Sequence, residues 1–137
     1  MTHELLNPEG LVEASGFTHA VVAAPGRLVF LAGQTGHSAD LSISNDFVEQ
    51  FDAACGNVAT ALDGAGGRPQ DLVSMQIFVT DIVAYRAKLK ALGDVWRRHF
   101  GKHYPAMGLF EVSSLLDSDA NVELMATAVI PTDRPRR

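Results

Sequence analysis

The residues able to do chemistry are few, and one acid stands apart from the rest. In "NVELMATAV", residues 121–129, Glu123 interrupts an alternating apolar run. A carboxylate set among Val122, Leu124 and Met125 must be solvated, paired or protonated, because unpaired burial of a charge is costly. In a cleft such a group can orient a water or carry a proton; on an open surface it is a solvated strand residue or the partner of an arginine. His99 and His103 stand four apart, a spacing that suits a metal only on an intact helix, and Gly101 and Pro105 argue against one. No further carboxylate or cysteine completes a ligand set, so no metal is expected. Cys55 lies at core spacing rather than in a nucleophile's setting. Neither Ser15-Gly16 nor Ser113-Ser114 has the strand–turn–helix surroundings of a serine nucleophile. "GAGGR", 64–68, follows a helical pattern and ends it, and lacks the strand before and the Lys-Ser/Thr after of a phosphate loop.

These residues need elements to position them. Apolar runs at 19–24 and 28–33 flank Pro25-Gly26 and read as a β-hairpin. Ser44 or Asn45 can cap a helix whose apolar face is Phe47, Phe51, Ala54, Cys55, Val58 and Leu62. In "DLVSMQIFVTD", 71–81, Val73, Met75, Ile77 and Val79 face one way and Ser74, Gln76, Phe78 and Thr80 the other. Asp81 can cap a second helix striped by Ile82, Tyr85, Leu89, Leu92 and Trp96 and stopped by Gly101 and Pro105. Strands near 106–113 and 122–130 follow, joined by "LLDSDAN". The order ββαβαββ predicts an α+β fold with a mostly antiparallel sheet and two helices on one face. Phe78, Met125 and Val129 make the other face too apolar for water, so a further copy of the chain is expected to cover it. On that face Glu123 would lie near a subunit boundary.

At 137 residues the chain suits one domain, 1–137, with 1–14 and 131–137 peripheral or frayed. The net charge of −5 disfavours nucleic acid as a partner, and the basic tail "TDRPRR" reads as a solvated terminus. No apolar run is long enough for a membrane span. The opening "MTHELLNPEG" has neither the basic start nor the apolar core of a secretory signal, and the single cysteine fits a reducing compartment. A cytoplasmic location is expected.

Taken together, "FLAGQTG", "DLVSMQIFVTDI", "VWRRHFGKHYPAMGLFEVSSL" and "VELMATAV" resemble the YjgF/RidA (Rid) family, also labelled endoribonuclease L-PSP. The likeness runs from about Ser15 to Val129, and its most specific part is Pro105-Ala106-Met107 followed by the lone Glu123. It implies a chorismate-mutase-like fold, a homotrimer and a small-molecule pocket at each subunit boundary. The family's deaminases hydrolyse reactive enamines and imines without a metal or cofactor. Carried over, the resemblance makes Glu123 the residue that orients water or handles protons. It places Phe17, Ala32, Gly33, Gly93, Met107, Gly108 and Leu109 around the ligand.

The match is partial. Phe17 stands where a Tyr is usual, Ala32 where a Ser is, and Gly93 near where an Asn often falls. Met107 takes the place of the Arg that clamps a substrate carboxylate, and a thioether cannot do so. An apolar site built by Met107, Phe17 and Leu109 would raise the pKa of Glu123 and favour it as a proton donor. Three readings follow. One is a deaminase-like hydrolase of an enamine or imine other than a simple 2-imino acid. Another is a ligand-binding trimer without chemistry. The third is an endoribonuclease or translation inhibitor, which the acidic balance opposes.

Overall fold

The structure, a computed structural model, describes residues 1–135; Arg136 and Arg137 of the basic tail lie outside the described residues. Six strands and three helices follow in the order β1 (Glu4–Leu6), β2 (Ala20–Val22), β3 (Gly26–Gln34), α1 (Phe47–Gly64), β4 (Leu72–Val79), α2 (Ile82–Ala87), α3 (Leu89–Phe100), β5 (Ala106–Glu111) and β6 (Val122–Pro131). The main sheet has strand order β3-β6-β4-β5. Its β3–β6 and β6–β4 pairs are antiparallel and its β4–β5 pair is parallel. The parallel pair is reached through α2 and α3, as a crossover requires. This is an α+β fold with its helices on one face of a mostly antiparallel sheet.

The core lies between that face and the helices. Phe51, Ala54, Cys55, Val58 and Leu62 of α1, together with Leu92, Val95 and Trp96 of α3, pack on Met75, Ile77, Leu124 and Ala126 of the sheet. The stripes at helical spacing therefore bury as their periodicity demands. Asp46, rather than Ser44 or Asn45, caps α1 by accepting from the Glu49 amide at 2.9 Å. Ser44 instead stabilises the approach, its hydroxyl accepting from the Asp46 amide. The second helix divides at Lys88, where the backbone leaves helical conformation at φ −122°, although no glycine or proline marks the place.

Two expectations are corrected. The runs flanking Pro25-Gly26 do not pair as a hairpin: β2 pairs with β1, and β3 pairs with β6. The Pro25 carbonyl accepts from the Thr132 amide, and at Gly26 a Cβ would sit 2.3 Å from the Ile130 carbonyl oxygen. The chain thus passes against the end of β6 instead of turning back on itself. At the start of β4 a register shift between Leu72 and Ser74 makes Leu72, not Val73, the core residue; the expected alternation holds from Ser74 onward.

The chain ends are partly tied down. His3 is buried, its Nδ1 accepting from the Ala24 amide (2.9 Å) and its Nε2 donating to the Val129 carbonyl (2.8 Å). Arg134, expected in a solvated tail, donates from Nη1 to Asp71 Oδ1 at 3.0 Å and from Nη2 to Oδ2, with Asp71 itself buried. This bidentate geometry compensates the desolvation of both charges.

Candidate functional site

Glu123 is placed by register. It pairs with Phe78 of β4, which in turn pairs with Phe110 of β5, so the three side chains share the sheet face that the helices leave open. The Phe78 and Phe110 rings stack there at 5.9 Å. Beside Glu123, the β3–β6 register shifts between Leu31 and Gln34, leaving Ala32 and Gly33 as the irregular residues. The carboxylate lies on that irregularity: a Cβ at Gly33 would meet Glu123 Oε2 at 2.6 Å. Gly33 is the residue type that lets the acid approach the β3 backbone. The turn entering β6 is fixed by buried Gln50, whose Nε2 donates to Ser44 O and Asp119 O and whose Oε1 accepts from the Asn121 amide.

The same open face carries Leu28, Phe30, Phe110 and Met125, all exposed, with Phe30 at 76%. Val129, expected among them, is buried with its side chain lying against Gly26. The surplus of apolar surface is therefore shifted toward β3.

A cavity of about 590 Å³ lies on the other, helix-covered side of the sheet, at its β5 edge. It is lined by Phe17, Gly93, Met107, Gly108 and Leu109, five of the residues singled out from the sequence. Met107 pairs with the buried Met75 and Leu109 with Ile77, so both side chains face the helices. Phe17 is held at the rim because Thr18 binds the start of β5: its amide donates to the Pro105 carbonyl and its hydroxyl to the Tyr104 carbonyl. Within one chain, Met107 and Phe17 therefore lie apart from Glu123. Met107 pairs with Met75 and Met75 with Ala126, three residues from Glu123 along β6, so the acid and the thioether fall on opposite faces.

Sequence reasoning missed Tyr85, Leu89, Trp96 and Tyr104 on the cavity wall. Tyr85, Leu89 and Trp96 were absorbed into a helical stripe; Leu89 is in fact 58% exposed, on the rim beside the break at Lys88. A stripe wider than the core it covers was the available signal. Trp96 is oriented by its indole N–H, which donates to the His103 carbonyl at 3.0 Å, and stacks on Tyr104. Burial pushes the Tyr85 phenol above its ordinary value.

The remaining candidates have other partners. His99 Nε2 lies 2.5 Å from Asp52 Oδ1 and His103 Nε2 2.8 Å from the Leu72 carbonyl, so the two rings diverge. Among the described residues no group of three or more His, Cys, Asp or Glu side chains is placed to hold a metal ion. Cys55 is fully buried, and desolvation pushes its thiol far up. Glu111 accepts from the Ile82 amide at the start of α2 and lies on the face opposite Glu123. No helix among the described residues is long and apolar enough to cross a membrane.

The family model described as endoribonuclease L-PSP matches residues 9–130. The chain belongs to the YjgF/Rid (endoribonuclease L-PSP) family. Among solved structures, this Rid-family chain is similar to the Yersinia pestis protein YyfB, a Rid-family protein of unknown function, with 27% identity and a TM-score of 0.85, covering 95% of this chain and 100% of that one. It is 31% identical, with a TM-score of 0.62, to a Mycobacterium tuberculosis member of the YjgF/YER057c/UK114 family, covering 94% and 100%. A protein from Entamoeba histolytica described as a putative endoribonuclease L-PSP shares the fold at 22% identity and a TM-score of 0.66, covering 86% and 90%. No curated protein matches the sequence. The chorismate-mutase-like fold expected from the family is the fold observed.

Proposed function

We propose that this chain is a single Rid-family domain that assembles as a homotrimer with a small-molecule site at each subunit boundary. The chemistry that suits the site best is cofactor-independent, deaminase-like hydrolysis of an enamine or imine other than a simple 2-imino acid. One observation carries this reading. Phe17, Gly93, Met107, Gly108 and Leu109 line a cavity on one side of the sheet, while Glu123, Ala32 and Gly33 meet on the other. Each group is half a site, and a neighbouring copy seated on the exposed apolar face would bring one chain's acid to another's cavity. The lone buried Cys55 suits a reducing, cytoplasmic setting.

In such a seam the reaction needs little. Water adds to the carbon of the C=N bond, the nitrogen takes a proton, and ammonia leaves as the carbonyl forms. Glu123 would accept a proton from the water and return it to the departing nitrogen. The apolar lining would exclude bulk water and strengthen that interaction. Met107 in place of a cation removes the means of holding a carboxylate next to the reacting carbon.

A non-catalytic binding trimer is the second reading, favoured because no carboxylate, His or Cys side chain lines the cavity among the described residues. Neutral and acidic imines generated in situ separate the two. Hydrolysis by the wild type that falls at least a hundredfold in Glu123→Gln supports catalysis; rates at the uncatalysed level for both proteins leave binding alone. The ribonuclease reading predicts cleavage of single-stranded RNA at low salt by purified protein, and intact RNA disposes of it.

A further inference from the structure

Among the described residues, Arg97 is the one charged side chain on the cavity wall. It lies one helical turn beyond Gly93, and its Nη1 would be only 3.4 Å from a Cβ at that position. The guanidinium therefore lies alongside Gly93 on α3, within ordinary contact distance of that position. Its hydrogen-bond partner is Asp94, whose Oδ1 accepts from Nη2 at 2.6 Å, and Tyr104 lines the same stretch of cavity wall. Polar interaction with Tyr104, and then with Asp94, also holds Arg97 above its ordinary pKa. A guanidinium has five N–H donors, so Asp94 does not exhaust it. Tyr104 is itself fixed by stacking on Trp96, with ring centroids 6.2 Å apart. The cation therefore stands at the exposed mouth of the cavity, beside Asp94.

We infer that the cavity takes an amphipathic carboxylic acid, its anionic head bound at the rim by Arg97 and Tyr104 and its apolar body seated among Tyr85, Trp96 and Met107. The inference rests on the cavity being the ligand site and adds the class of ligand. Met107 denies a carboxylate any cation on β5, deep against the core, whereas Arg97 supplies one at the mouth. Acid and apolar groups of the ligand are consequently separated by the depth of the cavity. A small 2-imino acid, whose carboxylate adjoins the reacting carbon, could not use both ends. A longer aryl or branched-alkyl acid could.

Trp96 is the only tryptophan, so its fluorescence reports on this cavity alone. The full-length protein is titrated with 3-phenylpropionate and, separately, with the isosteric neutral 3-phenylpropionamide, for wild type, Arg97→Gln and Tyr104→Phe. A charge-assisted hydrogen-bond pair predicts that wild type binds the acid about tenfold more tightly than the amide. Arg97→Gln should abolish that preference, and Tyr104→Phe should reduce it severalfold. Because Arg97 is exposed, its variant is expected to fold. Amide binding without an acid preference, or a preference that survives Arg97→Gln, overturns the inference while leaving the cavity as a ligand site. If neither compound perturbs Trp96, the cavity reading and the inference fall together.

Discussion

Replacing Phe30 with aspartate tests the assembly most directly. Phe30 is 76% exposed in the single chain. A phenylalanine side chain presents about 200 Å², so roughly 150 Å² is available for burial, worth about 4 kcal/mol at about 25 cal/mol per Å². Assembly entropy and imperfect packing consume part of this gain, so the figure is an upper bound for each ring. At about 1.4 kcal/mol per decade it still corresponds to roughly a thousandfold in association. The aspartate does more than forfeit that gain, because an unpaired carboxylate in the seam costs several kcal/mol more. Its place on β3, opposite Thr127 and pointing away from the helices, keeps the substitution out of the core. Sedimentation velocity from about 5 to 100 μM should show wild type near 3 × 14.7 = 44.1 kDa and Phe30→Asp near 14.7 kDa, with unchanged far-ultraviolet circular dichroism. A variant that keeps the wild-type mass would refute the argument that this face is the seam, and a monomeric wild type would refute the trimer.

Two further outcomes follow from the fold. Gln50→Leu strands the Asn121 amide and the Ser44 and Asp119 carbonyls, so chemical denaturation should show a loss of about 2–4 kcal/mol. Imine hydrolysis should fall with it, because the same bonds set the entry to β6 and so the position of Glu123. Burial raises both Cys55 and Tyr85, so each prefers its neutral form in the folded state. Their contribution is intact below the ordinary thiol value near 9.0 and is lost as pH rises above it. The double variant Cys55→Val, Tyr85→Phe should therefore show a flatter decline of stability between about pH 9 and 11 than wild type.

Periodicity and local chemistry made most of the elements legible. The apolar spacing of Phe51 to Leu62, the alternation from Ser74 to Val79, and the stops at Gly64 and Gly101 depend on residues close in the chain. Glu123 was visible for a similar reason: alternation puts it on the face opposite Val122 and Leu124 whatever its neighbours are. Its approach to Gly33 was not visible, because it depends on a register shift between strands about ninety residues apart. The pairing of β2 with β1 was equally hidden, since Pro25-Gly26 is a good turn locally and only the close packing of Gly26 on Ile130 decides against a hairpin.

The amino-acid order alone determined which residues are apolar, which strand carries the acid, and that β5 begins with Ala106-Met107. Tertiary structure alone decided that Met107 and Glu123 lie on opposite sides of one sheet, and that Arg97 reaches the cavity mouth. Side-chain direction along an element follows from its period and can be counted. Which strands become neighbours, and in what register, depends on packing summed over the whole molecule, and no local count contains it.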